Sequence, residues 1–207
     1  MSSFFISNMS KKIEQSDETK NKILDAAIEV FYNKGVTKAT LEEIATQANV
    51  TRGAVYWHFK NKKDIFKTLH EDLYKTMIQI VLENMDNNNP LESLEKSCIN
   101  CLISLAENNK KKKTLTIFFC KCDYSEMEDI LKIQREKKAK NIEYFTQFFQ
   151  TNIHKTNGSE SPHSLAISLL CYLSGIVNEY LRNNLFDLSI QAEPLIKQFF
   201  QSINKNR

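Results

Sequence analysis

The chain has 207 residues, 42% of them hydrophobic and 26% charged, which is enough apolar material for a core in an ordinary soluble protein. Four glycines and three prolines leave few breakers and favour long helices over strands. Five cysteines, an odd number, argue against a disulfide scaffold, and no run approaches the roughly 18 apolar residues of a membrane span.

Residues 1–16 are polar and read as a flexible N-terminal extension. Phe4, Phe5 and Ile6 form its apolar patch with no positive region before it, so this is no secretory signal, and reduced thiols in the cytoplasm are expected. A first helix is predicted from Asp17 or Glu18 to Lys34, with Ile23, Leu24, Ala27, Val30 and Phe31 on its buried face and Gly35 as its stop. Thr40 and Glu43 have the spacing of a capping box for a second helix, Leu41 to Ala48, whose Leu41, Ile44, Ala45 and Ala48 make one small apolar face. Asn49 tolerates the left-handed backbone of a turn, and Val50 plugs the space between helices. Thr51 caps a third helix to about Phe59, in which Val55 and Phe59 face inward while Arg52 and Tyr56 point elsewhere. Helix, tight turn and a second helix with a polar first turn is the helix-turn-helix plan.

Asn61 caps a long helix from Lys62 to Met85, and the tract Asp86 to Pro90 breaks it, with Pro90 suited to the first turn of the next helix, 90–107. The run Lys110 to Lys113 has the charge of a phosphate-binding patch but reads more simply as a solvated start to an apolar helix over 111–122. An amphipathic helix over 126–154, a loop from Lys155 to Ser161, and a helix from Pro162 to Asn183 that is apolar almost all round follow. The last helix, from Ser189, aligns Ala192, Leu195, Ile196, Phe199, Phe200 and Ile203 in one stripe. There are no internal repeats and no strand, so the fold class is all-α. The domains are expected at 17–64 for a helix-turn-helix unit and 65–207 for a larger helical one.

The outward residues of the helix-turn-helix suit nucleic acid. Arg52 offers a two-pronged fork to guanine O6 and N7, and Thr51 reaches a base edge or a phosphate. Gly53 lets backbone and DNA approach closely. Tyr56, His58 and Lys62 are donors to phosphate oxygens, which set register without reading sequence. Residues 1–67 hold eleven basic against eight acidic side chains, and the remainder balances at seventeen each, so all of the net charge of +3 lies on this segment. Cys98 and Cys101 have the spacing of half a zinc site, but no second pair follows and they read as buried thiols. No nucleophile elbow, zincin motif or glycine-rich phosphate loop is present, so no enzyme, cofactor or metal is expected.

The string TRGAVYWHFKNKKDIF, preceded by TKNKILDAAIEVFYNKGVTKATLEEIATQANV, resembles the DNA-binding domain of the TetR family of bacterial repressors over Thr19 to Phe66. Ala26, Phe31, Gly35, Thr40, Ile44, Ala45, Val50, Gly53, Tyr56, Phe59, Lys62 and Phe66 occur in the family's order. The YWHF core and FFCKCDY, Phe118 to Tyr124, are similar to the multidrug-efflux repressors of the AcrR type. The resemblance implies a DNA-contact set of Thr40, Thr51, Arg52, Gly53, Tyr56, Trp57, His58 and Lys62. It also implies a homodimer through the last two helices, a palindromic double-stranded operator, and release of that operator on binding a small hydrophobic, often cationic ligand.

The corresponding helices of such repressors enclose an apolar cavity. Position along the helices makes His70, Tyr74, Met77, Phe119, Cys122, Tyr144 and Asn178 the pocket candidates, since aromatic faces attract cations and methionine adapts to shape. The same residues are compatible with plain core packing. Two other readings stay open: a regulator sensing a fatty acid or acyl-CoA, and a helical interaction protein that has lost DNA binding.

Overall fold

The computed structural model describes residues 2–83, 88–122, 128–153 and 161–204, and side chains among them except at 2–13, 74–83 and 204. All of the regular structure among them is helical: α1 Ser2–Lys34, α2 Leu41–Gln47, α3 Arg52–His58, α4 Lys62–Glu83, α5 Pro90–Glu107, α6 Asn109–Cys120, α7 Glu128–Asn152, α8 Pro162–Asn183 and α9 Leu188–Asn204. The chain divides into two compact units, one of Met1–Asp72 with Lys113–Asp123, the other of Leu73–Lys112 with Tyr124–Arg207.

The helix boundaries follow from local caps. Thr40 Oγ1 accepts the Glu43 N–H at 3.2 Å while Glu43 Oε2 accepts the Thr40 N–H at 3.1 Å, completing the capping box of α2. Thr51 Oγ1 accepts the Ala54 N–H at 3.1 Å and opens α3, and Asn61 Oδ1 accepts the Asp64 N–H at 3.0 Å at the start of α4. Gly35 ends α1 with φ 78°, Asn49 makes the α2–α3 turn with φ 53°, and Asn184 stops α8 with φ 49°. Left-handed backbone of this kind suits glycine and asparagine above other residues.

Three boundaries differ from the sequence reading. The backbone is helical from Ser2, so α1 starts well before the Asp17 or Glu18 read from the sequence; polarity alone does not end a helix, and no glycine or proline precedes Gly35. The unit that holds the helix-turn-helix extends past residue 64 and takes in α6 from Lys113 onward. The cause is apolar burial: Phe66 of α4 lies edge-on to Phe31 of α1 at 6.4 Å and against Phe118 of α6 at 4.7 Å. Ile23, Ala27, Phe31, Ile44, Val55, Ile65, Phe66 and Ile117 are fully enclosed there, each large side chain contributing about 1.5–3 kcal/mol. Finally, α6 begins at Asn109, because Asn108 Oδ1 caps it through the Lys111 N–H at 3.0 Å.

In the second unit α7 packs on α8 and α5 on α9. Leu94, Cys98, Leu102, Phe149, Leu169, Ala192 and Ile196 form its core. The stripe expected on α9 splits in two. Ala192, Ile196, Phe200 and Ile203 are buried, while Leu195 and Phe199 are half-buried; Phe199 stacks on Tyr172 of α8 at 5.5 Å, whose hydroxyl donates to the Leu195 carbonyl at 3.0 Å. α8 is also long and apolar enough by composition to cross a membrane, although no uninterrupted apolar run marks it. Its outward face carries Ile167, Ser168, Cys171, Ser174 and Gly175 at helical spacing.

The lysine run is not simply solvated. Lys111 Nζ donates to Ser104 Oγ at 2.6 Å, and Lys112 Nζ donates to the Tyr180 hydroxyl at 2.9 Å in the second unit. Lys113 Nζ, in the first unit, lies 2.6–2.7 Å from both carboxylate oxygens of Glu29.

Candidate nucleic-acid interface

α3 is a seven-residue helix whose orientation is set from inside. Val55 and, just beyond its end, Phe59 are buried, so the opposite side of the helix must face solvent. That side presents Thr51, Arg52, Gly53, Tyr56 and Trp57, all exposed, with His58 half-buried beside them. Trp57 is 82% exposed and Tyr56 49%. A large apolar ring left in water contributes nothing to the fold and is free for a partner.

Arg52 lies over the Tyr56 ring at 5.5 Å, with Nη2 3.4 Å from the phenolic oxygen. This (i, i+4) pairing holds the guanidinium along the exposed face with donors to spare. The two threonines of the set, Thr40 and Thr51, use their oxygens to accept helix N–H groups. Each hydroxyl hydrogen is therefore left to donate outward. At Gly53 the nearest atom to an added Cβ is Thr51 Oγ1 at 3.8 Å, an ordinary contact, so nothing within the chain requires glycine there.

The base of the motif is held by charge. Lys34 at the end of α1 pairs with Glu43 of α2, and that ammonium, then the Thr40 N–H, holds the Glu43 carboxyl below its usual value. Lys62 does not stand free: its ammonium donates to the Thr37 carbonyl and, at 3.3 Å, to the Ala39 carbonyl. Sequence reasoning placed Lys62 among the phosphate donors and could not see this tie, which joins residues 25 and 23 positions apart.

The pocket candidates do not fall in one compact unit. His70, Phe119 and Cys122 belong to the first; Tyr144 and Asn178 belong to the second; the side chains of Tyr74 and Met77 lie outside the described residues. His70 sits edge-on to Phe118 at 5.2 Å, and Phe119 is exposed. Asn178 Oδ1 accepts from Arg182 Nε at 2.8 Å. Tyr144 is edge-on to Phe145 at 5.2 Å, and burial raises the pKa of its hydroxyl. A groove of about 460 Å³ along α7 is lined by Ala139, Ile142, Glu143, Thr146, Gln147 and His163, none of them a candidate. In the second unit Cys98 is buried and Cys101 half-buried, and burial pushes the Cys98 thiol up to about 12.

Two sequence profiles match the chain. Residues 23–69 match "Bacterial regulatory proteins, tetR family", and residues 89–204 match "MAATS-type transcriptional repressor, C-terminal region". The HTH-type transcriptional repressor BepR of Brucella suis is 33% identical over 195 residues, covering 91% of this chain and 93% of BepR. The HTH-type transcriptional regulator AcrR of Shigella flexneri is 30% identical over 197 residues, 91% of each chain. Among solved structures, NalD, the secondary repressor of the MexAB-OprM multidrug efflux pump in Pseudomonas aeruginosa, superposes with a TM-score of 0.78 at 32% identity, over 90% of this chain and 96% of NalD.

Proposed function

We propose, for a chain that belongs to the TetR family of bacterial regulatory proteins, that it represses the gene for a multidrug efflux pump and releases its operator when a small hydrophobic ligand binds. The observation that carries DNA binding is the outward face of α3, where Thr51, Arg52, Gly53, Tyr56 and Trp57 are exposed on a helix fixed by Val55 and Phe59. Arg52 reads guanine, Thr40, Thr51, Tyr56 and His58 hold phosphates, and Trp57 packs on sugar or a thymine methyl. The pump is inferred from the full-length likeness to NalD, which is described as repressing one.

The repressor acts in the cytoplasm as a homodimer. Its dimer face is the small-residue side of α8, Ile167, Cys171, Ser174 and Gly175, together with the half-exposed Leu195 and Phe199 of α9. Small residues let two such helices approach closely, and a two-fold interface makes the same patch serve both copies. Two recognition helices related this way meet successive major grooves about 34 Å apart and require a palindromic operator. A ligand that prefers the dimer with its recognition helices off that spacing shifts the population away from DNA. The ligand is flat, hydrophobic and often cationic. Tyr144 and Asn178 of the second unit are its candidate contacts.

Fluorescence anisotropy of the purified dimer on DNA from upstream of its own gene, with and without a cationic hydrophobic dye, tests this. Tight binding that weakens steeply with salt and is reversed by dye is expected. Binding untouched by dye, but released by a fatty acid or acyl-CoA, would replace the drug-responsive reading with a metabolite-responsive one.

A further inference from the structure

α5 turns one side to α9, where Glu95 lies in the field of Lys197 and Glu193. A helix advances by about 100° per residue, so Ser97 stands about 160° round α5 from Glu95, on the side away from α9. Ser93, Ser97, Cys101 and Ser104 follow one another there at helical spacing as a narrow stripe of small polar side chains. Ser93 and Ser97 are buried, Ser97 at 0% exposure, and Cys101 and Ser104 are half-buried. At the end of the stripe Lys111 Nζ donates to Ser104 Oγ at 2.6 Å. Burial holds the Cys101 proton above the usual thiol range, although the Lys111 ammonium pulls the other way.

Among the described residues, Ser97 Oγ is the buried side-chain polar atom with no hydrogen-bond partner. Other helical hydroxyls of the chain satisfy themselves on the preceding turn. Thr46 donates to the Glu42 carbonyl at 2.9 Å, Thr68 to the Asp64 carbonyl at 3.0 Å and Thr146 to the Ile142 carbonyl at 2.7 Å. Ser97 does not fold back in this way. A buried hydroxyl left unpaired costs about 1–3 kcal/mol, and alanine would fill the same space without that cost. The cost is recovered when a partner from outside the chain supplies the missing bond.

We propose that Ser97 is a specificity-determining contact for the small-molecule ligand, binding an uncharged oxygen, a phenol hydroxyl or a carbonyl, on an otherwise apolar body. The inference rests on the ligand-released reading given above and names the chemical class of that ligand. A serine hydroxyl both donates and accepts, so either oxygen suits it. Leu94 and Leu105 flank the stripe and are buried, which suits the apolar body. The Lys111 ammonium beside Ser104 disfavours a cation along the stripe. Ser97 is enclosed in this conformation, so a ligand that bonds to it selects one in which α5 is opened, as release of DNA by ligand requires.

Isothermal titration calorimetry of the full-length dimer with β-naphthol and with naphthalene, which differ by one hydroxyl, tests the assignment. The wild type is expected to bind β-naphthol about tenfold more tightly, the worth of one net hydrogen bond. In Ser97→Ala the two affinities should converge, with that for naphthalene unchanged. A wild-type chain that binds the two equally, or binds neither, overturns the proposal, as does a Ser97→Ala variant that keeps the preference. Urea unfolding without ligand gives a second readout: Ser97→Ala should raise the midpoint, because an unpaired hydroxyl is lost. A lower midpoint would show the hydroxyl already satisfied within the fold and overturn the assignment. Equal affinity for the two probes would defeat the Ser97 contact and leave a ligand-responsive repressor intact. Calorimetry needs no DNA, so failure to bind any operator would defeat the DNA-binding reading while the naphthol preference still decided the role of Ser97.

Discussion

Lys113 on α6 closes on both carboxylate oxygens of Glu29 on α1, at 2.6 and 2.7 Å, although 84 residues separate them. The lysine side chain is only 22% exposed, so the pair is shielded on one side and open on the other, where Glu29 is 39% exposed. Shielding of this order places its contribution above that of a surface pair and below that of a buried one. A double-mutant cycle of Lys113→Ala and Glu29→Ala, followed by urea unfolding, should return a coupling of about 1 kcal/mol that shrinks in high salt. Simple additivity of the two substitutions would mean the pair is incidental.

Gly53 has room for a methyl group inside the chain, the nearest atom being 3.8 Å away. Alanine is the better helix former, so Gly53→Ala should hold or raise the thermal midpoint, by up to about 1 kcal/mol of stability. The same methyl projects from the exposed first turn of α3. Operator affinity should drop tenfold or more, read by anisotropy. Unchanged affinity would remove Gly53 from the contact set.

Gly175 lies on the outward face of α8, and a Cβ there meets nothing within 4 Å of its own chain. Gly175→Glu should therefore leave the protomer folded and helical while placing a charge in the proposed dimer face. Sedimentation equilibrium should show a monomer, with operator affinity lost in step. A stable dimer would move the interface elsewhere.

Cys98 offers a test of burial through pH. Desolvation first, then the neighbouring Cys101 and Glu95, push its thiol up to about 12. The folded chain thus keeps this proton more tightly than the unfolded one. Stability from this group is complete below the ordinary thiol value of 9.0 and declines as pH rises from there towards about 12. The urea midpoint should fall between pH 8 and pH 10 by more in the native chain than in Cys98→Ala. Alkylation at pH 8 should label the exposed Cys120 and leave Cys98 unmodified.

The sequence by itself determined where the helices begin and turn, because those signals act over four residues or fewer. Thr40 with Glu43, Asn49, Thr51, Asn61 and Pro90 each do in the structure what their spacing predicts. The outward residues of α3 were legible for the same reason: Val55 and Phe59 assign the inner side, and one turn of helix assigns the rest. Only the tertiary structure decided what the long side chains do. Lys62 reaches back to Thr37 and Ala39, Lys112 reaches Tyr180, and Lys113 reaches Glu29, across 25, 68 and 84 positions at most. The unit boundary was hidden likewise, since Phe66 and Phe118 share a core that no local pattern announces. A lysine looks solvated in any linear reading; its partner is chosen by which backbone carbonyl or carboxylate the packed apolar residues bring within 3 Å or so of its amine.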